Sequence, residues 1–311
     1  MNAHLYLQRL QRLIPAIGML GNAVRFPGLR SGLRVEIAGR GRMAYGRNVT
    51  LGEGTRIELS EGGSLDIAND VAISRGVHIN VGPGRRTCIG AHTTIQDNCR
   101  IYGDVSIGRY CILAPNVFVS SGTHTFDAIP HRTIQEQEGL APSPDLPVRI
   151  FDDCWLGINA VVIRGVTIGR GCVVGANTVV PLALPPYSVT GGNPARVLRV
   201  RLAFVPKSRI EAGCEEDLPY FYDGFNSVSA TKQEDIVADC EFVLALNRPN
   251  AQSVRLCLSG ERSEIAFGGQ VQPVPLQPNV VEFRLGANTA SLPFLTFHVV
   301  GRCHVLWAEL I

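Results

Sequence analysis

Between Ile89 and Val119 an aliphatic side chain returns at every sixth position: Ile89, Ile95, Ile101, Ile107, Leu113 and Val119. After a long break the series resumes as Ile150, Leu156, Val162, Ile168, Val174 and Val180. Two residues before each stands a small or β-branched partner: Thr87, Thr93, Cys99, Val105, Cys111 and Val117, then Val148, Cys154, Ala160, Val166, Cys172 and Thr178. In a chain that is 45% hydrophobic, twelve hits in twelve arise by chance at a rate of roughly 10⁻⁴ in a given register. A helix repeats about every 3.6 residues and a strand about every 2, and neither accounts for this spacing. A period of six belongs to a parallel β-helix, in which hexapeptides, each a short strand and a turn, close triangular coils.

A rougher form of the comb runs upstream through Leu51, Ile57, Ile67, Ile73 and Ile79, with Val49, Thr55, Leu65, Val71 and Val77 as partners. The steps from Ile57 to Ile67 and from Ile79 to Ile89 are ten residues long. Their surplus, Ser60-Glu61-Gly62-Gly63-Ser64 and Gly82-Pro83-Gly84-Arg85-Arg86, is polar and glycine-rich and should bulge from a corner. From Val119 to Ile150 the step is 31 residues, which predicts a long loop at 120–148. Seventeen teeth make about six coils and a prism about 27 Å long at the spacing of stacked strands. Gly90, Gly108, Gly157, Gly169 and Gly175 are expected to supply permissive turn backbone.

Pro185-Pro186 and Gly191-Gly192-Asn193-Pro194-Ala195-Arg196 end the repeat. Beyond about Val205 come short, partly alternating stretches such as Glu241–Leu246, Val254–Leu258, Val281–Leu285 and His304–Trp307, separated by Gly, Pro and Asn. They predict a small antiparallel β-sandwich. The chain is expected to be mostly β, with an N-terminal helical or irregular segment at 1–34, the β-helix at 35–204 and the sandwich at 205–311. In the N-terminal segment Leu5, Leu10, Leu13, Ile14, Ile17 and Leu20 surround Arg9 and Arg12, and Pro15 interrupts them. No run reaches the ~18 apolar residues of a membrane span. A helix packed on the body or on a subunit neighbour, or one resting on the inner membrane surface, fits this pattern.

A formal net charge of +2 gives no field-driven case for nucleic acid. Of the nine cysteines, Cys99, Cys111, Cys154 and Cys172 occupy the inward slot of the comb, where a thiol acts as a compact hydrophobe. None forms a C-x-x-C pair, so neither a zinc site nor a disulfide framework is indicated and a reducing, cytoplasmic compartment is expected.

Ser120-Ser121-Gly122-Thr123-His124-Thr125-Phe126-Asp127 opens the long loop. There a rigid wall meets a flexible flap, a usual place for functional groups, and an imidazole titrates near neutrality and serves as a general base. Asp127 either orients His124, contacts a sugar hydroxyl, or is a solvated loop carboxylate. Ser120, Ser121 and the inward-facing Cys111 are not read as nucleophiles.

From about Leu51 to Val200 the chain resembles the hexapeptide-repeat acyltransferases, in particular the galactoside, maltose, nodulation-factor and polysaccharide O-acetyltransferases. The matching features are Ser121-Gly122-Thr123-His124, Trp155-Leu156-Gly157, Val166-Thr167-Ile168-Gly169, Val173-Val174-Gly175-Ala176 and Gly192-Asn193-Pro194-Ala195-Arg196. The resemblance implies a left-handed β-helix and a homotrimer with active sites in the clefts between prisms. It implies acetyl-CoA as co-substrate, with no metal, and an acetyl group passing to a sugar hydroxyl of a surface polysaccharide or its precursor. His124 would be the base, and a backbone N–H near Gly157-Ile158 would hold the oxyanion. Trp155, Gly157, Ala176, Asn193, Pro194 and Arg196 would meet the cofactor, and Asp127 the carbohydrate. Trp155 could equally be an interface anchor, and Gly157 and Ala176 plain coil turns.

Two positions depart from the pattern. Thr94–Asn98 offers no clear counterpart to the sugar-contacting Asn of the galactoside enzymes, and Pro181-Leu182 replaces a Thr-Lys pair that helps bind the CoA arm. Alternatives are an N-acyltransferase acting on an amino-sugar nucleotide and a non-catalytic, glycan-binding scaffold trimer. A γ-type carbonic anhydrase needs three convergent histidines, but His78, His92 and His124 lie far apart and His131 is on the loop. In the tail, Tyr220-Phe221-Tyr222-Asp223-Gly224-Phe225 offers rings on which sugars could stack, or is core.

Overall fold

The computed structural model describes residues 26–141, 143–203, 205–225, 237–261, 263–286 and 293–311. The apolar N-terminal segment, up to residue 25, lies outside the described residues. Two compact units divide the chain, Met1–Arg201 and Leu202–Ile311.

The first unit is a parallel β-solenoid of about seven turns. Successive short strands fall in rotation onto three parallel sheets, called here faces A, B and C. Face A includes Thr94–Ile95, Ile112–Leu113, Trp155–Leu156 and Val173–Val174; face B includes His78–Val81, Arg100–Tyr102, Phe118–Ser120 and Val161–Val162; face C includes Arg86–Ile89, Val105–Ile107 and Val148–Ile150. Each residue pairs with its equivalent one coil on, for instance Leu113 with Leu156 and Ile101 with Val119. No tooth of the comb is more than 3% exposed, and burial of each stabilises the prism by about 1.5–3 kcal/mol against leaving it in water. There is one coil more than the comb counted. Strands Arg30–Ser31, Glu36–Gly39 and Arg42–Tyr45 form it, and Ile37, Met43 and Tyr45 are only partly buried. Among the described residues this coil has a neighbouring coil on one side only, and its pattern is looser.

The inward slot does more than fill space. Thr93 Oγ1 donates to the Gly108 carbonyl at 2.8 Å, Cys99 Sγ to Ala114 at 3.1 Å, Cys111 Sγ to Phe151 at 3.2 Å, Cys154 Sγ to Gly169 at 3.2 Å and Cys172 Sγ to Pro185 at 3.0 Å. Each acceptor is a turn carbonyl of the following coil, so Thr and Cys recur here as short donors that satisfy buried backbone. Burial pushes the Cys99 thiol up to about 11, and the neighbouring Cys111 sulfur together with burial pushes Cys154 up as well. They remain S–H donors, which corrects the expectation of plain hydrophobes.

The repeat glycines also have a different cause. None of Gly90, Gly108, Gly157, Gly169 or Gly175 has a positive φ; the left-handed turn residues include His92, Tyr110, Asn116, Asp153, Asn159 and Asn177, and the other glycines Gly76, Gly165 and Gly171. A Cβ on Gly108 would lie 2.5 Å from Asp152 N and 2.6 Å from the Phe151 carbonyl carbon. Close approach of the next coil therefore excludes a side chain at Gly108, whereas the left-handed turn conformation falls on other positions, many of them Asn, Asp or Gly, which tolerate it.

Among the described residues the second unit is one antiparallel sheet of eight strands. Its spine is Phe294–Leu310, which pairs with Val237–Ala245 and Arg209–Glu211 along one edge and with Ser253–Gly260 and Glu264–Phe267 along the other. Phe242, Phe283 and Phe297 are fully buried, Phe297 stacking on Phe242 at 5.0 Å and on Phe267 at 4.7 Å. The outer edge of Asn279–Arg284 is covered by side chains: Gln270 donates to Arg284 O at 2.8 Å and accepts from Arg284 N at 3.1 Å, and Gln272 donates to Glu282 O at 2.6 Å. These amides occupy the hydrogen-bonding groups of an otherwise open edge.

Gly108→Ala should cost about 2 kcal/mol or more, by forcing adjacent coils apart. Chemical denaturation measures it, and a loss below about 0.5 kcal/mol would show that the stack can spread.

Candidate active site

The long connection leaves face B after Ser120 and returns to face C at Val148, at the edge where the shorter surpluses of earlier coils also emerge. Its return limb is fastened to the prism. Asp145 pairs with Arg85 at 2.9 Å, Arg164 Nη1 donates to Ser143 Oγ at 2.9 Å, Leu146 N donates to Ser121 O at 2.9 Å, and Gly165 N donates to Leu146 O at 2.9 Å. The remainder folds on itself around a short helix, Ile134–Leu140.

A capping box starts that helix: Thr133 Oγ1 accepts from Glu136 N at 3.3 Å and the Glu136 carboxylate accepts from Thr133 N at 2.9 Å. Gln137 is buried and is the keystone of the flap. It accepts from Ile129 N at 2.9 Å and donates to Phe126 O at 3.2 Å and Arg132 O at 3.1 Å. Thr125 Oγ1 donates to Ala141 O at 2.6 Å, joining the two limbs. The flap is thus an ordered, hydrogen-bonded unit and not a slack loop.

His124 stands at the root of this flap with its side chain 82% exposed and Nδ1 3.1 Å from Glu138 Oε2. The same carboxylate oxygen accepts from Thr125 N at 3.2 Å. A carboxylate only accepts, so in the neutral ring the proton sits on Nδ1 and Nε2 keeps its lone pair. Asp127 is exposed on the same limb, and the carboxylate that meets the ring is Glu138.

The other expected positions gather elsewhere. Trp155, 52% exposed, lies outward on face A between Ile112 and Val173 of the adjoining coils. Gly157 and Ala176 follow at the edge between faces A and B, on successive coils. Gly157 is buried and its N–H donates to Val174 O at 2.7 Å, so it cannot also serve an oxyanion; of the two amides expected there, Ile158 remains. A Cβ on Gly157 would meet Ala176 N at 2.7 Å, which gives it a packing role. Asn193 and Pro194 form the turn of a hairpin between Ser188–Gly191 and Arg196–Val200, all exposed with Arg196. Arg196 makes no ion pair among the described residues, leaving its guanidinium available to an anion.

In a triangular coil, the edge between faces B and C lies opposite face A. One chain therefore carries Trp155 on the face away from His124, while Gly157 and Ala176 stand at the other edge of face B.

Three features escaped the sequence reading. Glu138 lies fourteen residues from His124 in a stretch without the comb; the Thr133–Glu136 capping box signals the helix but not the contact. An asparagine ladder, Asn116 donating to Asn159 at 3.1 Å and Asn159 to Asn177 at 2.9 Å, runs beside Gly157 and Ala176. Its 18-residue spacing, Asn98 to Asn116 and Asn159 to Asn177, was a legible signal. On face B, His78 Nε2 meets Glu58 at 3.1 Å and Nδ1 meets Tyr102 OH at 2.9 Å. The hydrogen bond from His78 holds the Glu58 carboxyl below its ordinary range. In the tail, Tyr220 and Phe221 are buried, Tyr220 OH donates to Val205 O at 3.1 Å and Tyr222 packs on Phe294 at 4.7 Å. Tyr220 and Phe221 belong to the core, and Tyr222 and Phe225 are half-buried against it.

Comparison with known proteins agrees with the coil. The family model "Bacterial transferase hexapeptide (six repeats)" matches residues 87–121 and 147–181, on either side of the flap. A protein of Lysinibacillus sphaericus named "Probable macrolide acetyltransferase" is 31% identical over 124 residues, covering 36% of this chain and 69% of its own. The chain belongs to the hexapeptide-repeat acyltransferases. A probable acetyltransferase of Mycobacterium tuberculosis is 41% identical over 100 residues, 32% of each chain. An Escherichia coli acetyltransferase named for colanic acid biosynthesis, WcaF, is 34% identical over 116 residues, 37% of this chain and 58% of its own. The chain spans between about a third and three-fifths of the length of these last two relatives. Among the described residues no group of three or more His, Cys, Asp or Glu side chains is arranged to hold a metal ion, and no helix is long and apolar enough to cross a membrane.

Arg85→Ala should leave global stability within about 1 kcal/mol, as for other partly exposed ion pairs, yet loosen the return limb. Hydrogen exchange at Leu146 and Gly165 should then quicken by roughly fivefold; unchanged exchange would mean that Asp145 fastens nothing.

Proposed function

We propose that this hexapeptide-repeat protein is an acetyl-CoA-dependent O-acetyltransferase that modifies a sugar hydroxyl of a surface polysaccharide or its precursor, working as a homotrimer. The observation that carries the reaction is the exposed imidazole of His124, its Nδ1 held by a carboxylate and its Nε2 open. The similarity to the relative named for colanic acid biosynthesis supports the acceptor class.

His124 Nε2 removes the acceptor hydroxyl proton as that oxygen attacks the thioester carbonyl. Glu138 stabilises the imidazolium so formed, and the Ile158 N–H is the available donor for the oxyanion. As the C–O bond of the ester completes, the C–S bond breaks and His124 returns its proton to the leaving sulfur. Atoms and charge balance without a covalent enzyme intermediate. Trp155 and the Ala176 edge suit the extended pantetheine arm, and Asn193, Pro194 and Arg196 suit the nucleotide end, where a guanidinium pairs with phosphate. Because face A, which carries Trp155, lies opposite the edge that carries His124, His124 of one protomer works beside Trp155 of the next.

His124→Ala should lower turnover at least about 100-fold while leaving CoA binding intact; retained turnover sinks the proposal. Co-assembly of inactive His124→Ala and Trp155→Ala chains should recover about a quarter of the sites in a cyclic oligomer. No recovery would place each site within one chain. A product that survives mild alkali would be an amide and would overturn O-acetylation.

A further inference from the structure

We infer that Glu138 is the positioning residue of His124 and that it acts only while the flap helix is folded; this rests on His124 being the base. Nothing in the prism wall holds the ring. Its side chain is 82% exposed, and its one protein partner among the described residues is Glu138 at 3.1 Å. The tautomer that leaves Nε2 free is therefore selected by a group on the helix, fourteen residues on in the sequence, and not by the coil that carries His124.

That helix does not stand by its own propensity. Seven residues are too few to persist alone in water. It is held by the Thr133–Glu136 box, by the Thr125–Ala141 bond, and above all by Gln137, whose amide joins Phe126, Ile129 and Arg132 and is 1% exposed. Removal of the Gln137 amide strands the backbone groups of the outgoing limb and releases the helix with Glu138 on it. His124 and Glu138 would both still be present, but apart. The base is thus armed by local folding of the flap, a low-stability element by its size.

The test uses the full-length protein with ¹⁵N-labelled histidine, near pH 8 where about all of an ordinary imidazole is neutral. The His124 resonances are assigned by their loss in His124→Ala. In the wild type, Nδ1 should carry the proton and Nε2 should appear unprotonated. Glu138→Ala and Gln137→Ala should both shift the ring towards a mixture of tautomers, whereas Glu138→Gln, which keeps an acceptor, should hold the wild-type form. Thiol release from acetyl-CoA should fall about tenfold or more in Glu138→Ala, with KM for acetyl-CoA within about twofold. The double variant with His124→Ala should be no slower than His124→Ala alone.

An unchanged tautomer in Glu138→Ala, or wild-type turnover in that variant, overturns the assignment of Glu138. An unchanged tautomer in Gln137→Ala overturns the dependence on the folded helix. If His124→Ala keeps its turnover, the acyl-transfer role fails instead, and the tautomer measurement reports on Glu138 regardless.

Discussion

Strand-on-strand stacking of identical coils dictates the rest of the first unit. With each residue directly beneath its equivalent, every chemical choice is repeated one coil on, so a residue type succeeds only if it tolerates a copy of its own environment. Aliphatic teeth do so by packing, and Asn116, Asn159 and Asn177 by having both a donor and an acceptor on one amide. Threonine and cysteine do so by donating a hydrogen bond to the next turn carbonyl. Where the stack stops, the scheme breaks: Thr178 Oγ1 is buried and has no hydrogen-bond partner among the described residues, at the level where the following coil gives way to the Gly191–Arg196 hairpin.

The same constraint explains where the chain can depart from regularity. An insertion within a strand would shift every tooth below it, whereas one at an edge leaves the stacking intact. The surpluses at Ser60–Ser64, at Gly82–Arg86 and at the flap all emerge between faces B and C. The flap is anchored where it returns, through Arg85 and Arg164, and is held elsewhere by its own side chains. A rigid wall so carries a semi-autonomous cap, and the exposed imidazole stands where the two meet.

A prism with three faces also separates what it displays. Side chains on face A cannot reach the opposite edge without crossing a core filled by the teeth. The proposed distribution of labour, with the thioester held along one protomer and the base supplied by its neighbour, follows from that thickness.

The period of six determined the coil, the inward set and the position of the one long excursion, because stacking acts on each hexapeptide alike and writes itself along the chain. It also singled out His124, the imidazole at the root of that excursion. Only the tertiary structure decided which carboxylate meets it. Asp127 is nearer in sequence, but the helix brings Glu138 to the ring, and contacts between flap limbs obey no repeat. The roles of the glycines, the donor function of Cys111, Cys154 and Cys172, and the burial of Tyr220 and Phe221 were hidden for the same reason. Each depends on what lies one coil or one strand away in space, a distance that composition and spacing do not encode.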